Sequence, residues 1–85
     1  MIDFDFIDWD DGNQDHIAMH DLTLDEVEDV LTAANPRLAI SPTSGRPMAD
    51  GPTGTGKYIR VIFETTNEGG VKVLRPVTAY EIDPP

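Results

Sequence analysis

Arg60 and Arg75 stand inside β-rich runs rather than in loops. A planar guanidinium fixed in a strand can clamp a phosphate through paired N–H donors. Tyr58 and Tyr80 lie in the same two runs and offer rings for stacking or hydroxyls for proton transfer. Each has a plainer reading. An arginine in a chain with sixteen carboxylates pairs readily with Glu64, Glu81 or an aspartate across the sheet, and a strand tyrosine packs its ring with the hydroxyl at the surface.

Three further patterns suggest chemistry and are limited by their context. Gly51 to Lys57 (GPTGTGK) satisfies G-x-x-x-x-G-K, the loop that cradles nucleotide phosphates. Tyr58 follows where a hydroxyl should hold magnesium, and a β-rich run follows where a helix should supply its dipole, so the stretch reads as a glycine-rich turn and no nucleotide is expected. His16 and His20 are four apart, on one face of a helix, but two histidines need a third ligand that nothing specifies, and no metal or other cofactor is expected. Asp8 to Gly12 resembles the start of a calcium loop, yet its glycine comes one place early and the twelfth position is Met19 rather than Glu.

The elements that must carry these residues follow from local signals. Lys57 to Thr66 and Val71 to Tyr80 are β-rich runs joined by Asn67-Glu68-Gly69-Gly70, residues that accept the positive φ of a tight reversal. Together they predict an antiparallel hairpin. In its first strand Ile59, Val61 and Phe63 point one way, and Tyr58, Arg60, Ile62 and Glu64 the other. Upstream, Thr23 and Glu26 form a T-x-x-E capping box, with Leu22 and Val27 as a hydrophobic staple. The helix they open carries Leu24, Val27, Val30, Leu31 and Ala34 on one stripe and places Asp25, Glu26, Glu28 and Asp29 in water, until Asn35 and Pro36 stop it. A shorter helix is expected from an N-cap at Asn13 to about His20. Met1 to Trp9 alternates imperfectly and reads as a short strand, Arg37 to Ser41 as another, with a further strand near Pro47 to Asp50 and a proline-bearing tail from Ile82. This order predicts an α+β fold: two N-terminal helices packed on one face of a mostly antiparallel four- to five-stranded sheet.

Eighty-five residues suffice for a single domain spanning residues 1–85. There is no cysteine, hence no disulfide or thiolate chemistry, and a reducing compartment is compatible. With no apolar run of membrane-spanning length and an acidic N-terminus, a cytoplasmic protein with no membrane partner is expected. The formal charge is −10, and residues 1–36 contain eleven carboxylates but no Lys or Arg. Such a surface repels nucleic-acid phosphates at long range and attracts basic proteins.

Three stretches together are similar to the BrnT-type toxins of bacterial type II toxin–antitoxin systems: Trp9-Asp10-Asp11-Gly12-Asn13 with His16 to His20, Leu24 to Leu31, and Lys57 to Glu64 with Arg75 to Tyr80. The resemblance covers most of the chain. It implies a RelE-like fold, cleavage of messenger RNA by attack of a ribose 2′-hydroxyl on the adjacent phosphate, and a cognate ribbon-helix-helix antitoxin as partner, with RNA as the substrate. Carried onto this chain, that chemistry assigns Arg60 and Arg75 to charge stabilisation, His20 or Glu64 to proton acceptance, and Lys57, Tyr58 and Tyr80 to substrate contact. The chain also departs from the pattern. Tyr80 stands where many members have an arginine, the first helix lacks lysines, and Ile82 to Pro85 replace a C-terminal helix. The resemblance therefore implies a toxin-like scaffold with weak or lost ribonuclease activity, the alternative being a non-catalytic acidic module that holds a basic protein.

Overall fold

A computed structural model covers all 85 residues. The element order is β1 (Phe6–Ile7), α1 (Asp11–Ala18), α2 (Leu24–Leu31), β2 (Arg37–Ile40), β3 (Pro47–Pro52), β4 (Tyr58–Glu68) and β5 (Val71–Glu81). Five strands form one sheet in the order β1-β5-β4-β3-β2, antiparallel except where β1 runs parallel to β5. The fold is α+β, as the run of helices before the run of strands predicts.

The hairpin is the spine of the sheet. Its strands extend through Asn67 and Glu68, leaving Gly69 and Gly70 as the loop, with φ of 61° and 88°. Two successive positive φ values match the right-handed twist of the flanking strands. Ile59, Val61 and Phe63 are buried beneath the helices, as their alternation predicts. They join Ile17, Val27, Val30, Leu31, Ala49, Leu74 and Ala79 in one core cluster. A β-bulge interrupts the register between Ile62 and Phe63, where Ile62 opposes Thr78 and Phe63 opposes Pro76. The extra residue, Val77, lets both Pro76 and Ala79 face the core despite their odd spacing.

Several expectations are corrected. The cap of α1 is Asp10, not Asn13: the Asp10 carboxylate accepts the Asn13 N–H, and the Asn13 side-chain oxygen accepts the Asp10 N–H. This D-x-x-N box starts the helix earlier than the sequence suggests, and α1 ends at Ala18. In α2 the Thr23–Glu26 capping box forms as expected. Glu26, however, is buried at 3% exposure rather than left in water, because its role in the box turns it back beneath the Thr53–Lys57 turn. The helix ends at Leu31, before Asn35 and Pro36, so Ala34 is exposed instead of packed. The strand expected over Met1 to Trp9 shrinks to Phe6–Ile7, while Ile2, Phe4, Ile7 and Trp9 lean on the core.

The two edges of the sheet are treated differently. Along β5, the Lys72 and Leu74 carbonyls accept backbone N–H groups of Asp5 and Asp8. Where β1 stops, α1 takes over: the Asn13 amide donates to the Pro76 carbonyl, and His16 Nδ1 lies 3.3 Å from the Val77 carbonyl. The other edge, β2, has no neighbour on its outer side.

Candidate functional site

The sheet face away from the helices carries most of the residues singled out by type. Asp50, Arg60 and Tyr80 are register partners on β3, β4 and β5 and form one row across the sheet. Arg60 donates from Nε and Nη2 to the two oxygens of Asp50, both at 2.9 Å. Asp50 is nearly buried, whereas Arg60 keeps about a third of its side chain exposed. The Asp50 carboxylate first, and the Tyr80 hydroxyl second, raise the Arg60 pKa above its already high value. The tyrosine ring in turn sits 6.0 Å from that of His20, tilted by 53°. His20 follows the end of α1 and is exposed.

The other candidates are elsewhere. Arg75 and Glu64 are register partners on β5 and β4, four residues along from Arg60, a separation of about 13 Å along a strand. They do not pair with each other: Arg75 Nη2 donates to Asp10 at 2.6 Å, and Glu64 accepts from Arg46 Nε at 2.8 Å. Lys57 leaves the row altogether, its Nζ donating to the Asp21 carbonyl at 2.9 Å and lying 3.3 Å from a Glu26 oxygen. Tyr58 lines a shallow depression with Glu81 and Asp83 at the chain's end. Arg60, Tyr80 and His20 are thus brought together, while Arg75, Glu64, Lys57 and Tyr58 are not.

The plainer reading of the arginines describes what is seen. Five of the six basic side chains, Arg46, Lys57, Arg60, Lys72 and Arg75, are ion-paired within the chain. Arg37 alone has no ion pair. A guanidinium whose paired donors already hold a carboxylate has its positive charge compensated and its best geometry used. To take a phosphate through the same paired donors, Arg60 would have to abandon Asp50 and strand a buried carboxylate, which is costly; the donors left on Nη1 carry a charge that Asp50 already compensates. His16 and His20 also part company, one toward the Val77 carbonyl and the other against Tyr80, and no three His, Asp or Glu side chains come together in a way that could hold a metal ion.

The glycine-rich loop has a distinct arrangement. Gly54 N–H donates to Asp29 Oδ2 at 2.8 Å, and the Thr55 hydroxyl donates to Glu26. The anions held by this loop are carboxylates of α2. With the Thr55 hydroxyl foremost, then the Thr23 N–H and Lys57, these bonds outweigh burial and hold the Glu26 carboxyl below its ordinary pKa.

Residues missed by the sequence reading are structural partners. Asp50 was signalled only by the short strand near Pro47, since its pairing needs the register of three strands. The Trp9-Asp10-x-x-Asn13 pattern turns out to be a latch. Trp9 Nε1 donates to Glu28 Oε2 on α2, Asp10 holds Arg75 of β5, and Asn13, only 2% exposed, donates to the carbonyls of Asp8 and Pro76. The Asn13 N–H first, and Arg75 next, hold the Asp10 carboxyl below its ordinary value.

No protein-family model matches the chain, and neither does any curated protein. No helix is long and apolar enough to cross a membrane.

Proposed function

We propose that this chain is a BrnT-like, toxin-type component of a type II toxin–antitoxin module whose ribonuclease chemistry is weak or lost. Its working activity is the binding of a basic protein, with a ribbon-helix-helix antitoxin as the expected class, in the reducing cytoplasm that a chain without cysteine suits. The resemblance over Trp9 to Asn13, Leu24 to Leu31 and the hairpin supports the kinship. One observation carries the loss of catalysis: the guanidinium best placed to stabilise a phosphorane, Arg60, is held by both oxygens of Asp50. An RNA backbone approaching this face also meets a molecule of charge −10.

Incubating wild type and Arg60→Ala with structured and single-stranded RNA tests the proposal. Neither is expected to cleave above a protein-free blank. Cleavage by wild type that disappears in a folded Arg60→Ala variant would return the protein to the ribonucleases. Partner binding is tested by titrating a purified ribbon-helix-helix protein of net positive charge, where a short neighbouring reading frame of that type supplies the candidate. Association should weaken with salt and on charge reversal at Asp11, Asp15 and Asp25, which are exposed and outside every ion pair. Binding indifferent to both would remove the electrostatic account.

A further inference from the structure

Negative charge is spread unevenly over the chain, and the outer edge of the sheet is where it is missing. Residues 30–49 contain no Asp or Glu, in a chain that has sixteen, and they include all of β2, its turn and the start of β3. The acids that reach this edge are compensated: Asp50, opposite Arg37, by Arg60; Glu64 by Arg46 of the β2–β3 turn; and Asp3, in the groove alongside, by Lys72. Natural sheets blunt an open edge with charge or cover it, as α1 covers β5 here. On β2 the central residues are instead Leu38, Ala39 and Ile40, with Leu38 57% and Ile40 64% exposed. Leu38 opposes Ala49, which opposes the buried Val61, so the Leu38 and Ile40 side chains stand on the helix-covered side of the sheet. There α2 packs on β3 and β4, and beside Leu38 and Ile40 lies an open, mostly apolar groove of about 480 Å³ whose walls include Met1, Ile2 and Phe63.

The strand is complementary to itself. The Ser41 N–H donates to the Arg46 carbonyl across the β2–β3 turn, so by the alternation of an antiparallel ladder Arg37 and Ala39 also direct their backbone groups inward to β3. The N–H and C=O of Leu38 and Ile40 therefore face outward. Pro36 and Pro42, at the next outward positions, have no N–H to offer. When β2 meets a second copy antiparallel about a two-fold axis at Ala39, Leu38 of each copy pairs with Ile40 of the other, and every outward donor finds an acceptor. The closest approach in that ladder, about 4.5 Å between Cα atoms, falls at Ala39, where the side chain is smallest. The apolar side chains meet on the helix-covered side, where they cover one another. On the opposite side Arg37 faces the uncharged Ser41 of the second copy. The two Arg37 side chains are then four residues apart along the strand, about 13 Å, which exceeds the Debye length of about 8 Å at 0.15 M ionic strength.

We infer that the protein forms a two-fold dimer through β2, joining two five-stranded sheets into one. A basic segment in this place would set its charges beside Arg37, and an acidic one would approach a molecule of charge −10 for the sake of one free cation. The occupant that fits is apolar on one side, uncharged where Arg37 must face it, and small at its centre, which describes β2 of a second copy. The contact is the same patch on both copies and so closes at two. It is only one short strand wide, which makes a reversible dimer with a dissociation constant on the order of 10 μM. The inference goes beyond the partner-binding reading above and does not depend on it.

Sedimentation equilibrium of the whole chain tests the dimer. The two acidic bodies repel each other from their far sides, so the dissociation constant should rise by about tenfold or more when ionic strength falls from about 0.15 M to about 0.01 M. Antitoxin binding should have the opposite salt dependence, so the two readings fail separately. Leu38→Glu with Ile40→Glu sets four carboxylates against one another and should be monomeric. Both sites are exposed, so its melt in dilute solution should match wild type. A second pair of variants locates the axis in a chain with no other cysteine. With oxidised glutathione, Ala39→Cys should yield a disulfide dimer, since about 4.5 Å between Cα atoms is within reach of the bond. Leu38→Cys should not, because it lies diagonal to its counterpart at about 8 Å. A chain that stays monomeric in both salts at about ten times the expected dissociation constant overturns the proposal. So does a dimer that the double glutamate variant leaves intact, growth beyond two copies, or equal cross-linking at the two cysteines. Hydrogen exchange at Leu38 and Ile40 that slows only when the ribbon-helix-helix protein is added gives the edge to that partner and likewise overturns it.

Discussion

Arg60 is the residue on which the catalytic and structural readings differ most, and its value to the fold can be measured. Truncating it strands Asp50, whose side chain is 8% exposed. Removing one partner of a fully buried pair costs about 3–5 kcal/mol. Because Arg60 keeps about a third of its surface in water, part of that is screened, and about 2 kcal/mol is expected for Arg60→Ala. Urea denaturation followed by the fluorescence of Trp9, the only tryptophan, measures it. The double variant Arg60→Ala with Asp50→Ala should lose less than the two single losses added together, since no charge is left stranded. Additive losses would mean that the pair is not coupled. The same measurement guards the RNA experiment, because it separates loss of activity from loss of fold.

The elements differ in how much of themselves they declare locally. Gly70, at φ 88°, is required by its turn: Gly70→Ala should cost about 1–2 kcal/mol for placing a Cβ in the left-handed region. Gly69→Asn should cost only a few tenths, since asparagine suits the first loop position of this turn type. Equal losses at both positions in urea denaturation would contradict that geometry. The hairpin and α2 were legible in the sequence because Asn-Glu-Gly-Gly and T-x-x-E act over a few residues. The candidate site was less so. Its row Asp50–Arg60–Tyr80 depends on the register of three strands, and Asn13 reads as a cap until the Pro76 carbonyl, 63 residues away, is seen to need its amide. The bulge at Val77, which sends Thr78 and Tyr80 to the open face, leaves no mark in local composition. Glu26 looked solvated because helical spacing cannot report a turn that folds over it from another strand pair.

For the whole molecule, uncompensated negative charge opposes compactness. The radius of gyration is 12.1 Å, well inside the Debye length of about 30 Å at 0.01 M ionic strength but beyond the value of about 8 Å at 0.15 M. Carboxylates across the entire surface therefore repel one another in dilute salt. Raising ionic strength between these values should raise the melting temperature by about 4–8 °C, the shift that accompanies about 1 kcal/mol in a domain of this size. A melting temperature that falls instead would mean that the five ion pairs outweigh the repulsion. Acid acts in two directions. Protonating exposed carboxylates first relieves repulsion. Glu26 and Asp10, however, have folded-state pKa values below their ordinary 4.5 and 3.8, so their contribution is complete above the ordinary values and is lost as pH falls through the depressed ones. Stability should therefore pass through a maximum near or above pH 4.5 and fall below it, and Glu26→Gln should flatten the acid limb; an unchanged limb would assign acid unfolding to other groups.

Because β1 pairs with β5, residues near position 6 are completed only by residues near position 73. During synthesis on a ribosome β1, with its exposed Phe6, waits unpaired until Val73 and Leu74 have emerged. Sequence-distant pairings of this kind close late and slow a domain's assembly. A nascent chain stalled before Val71 would therefore lack the strand against which both β1 and α1 pack, and would be open to proteolysis.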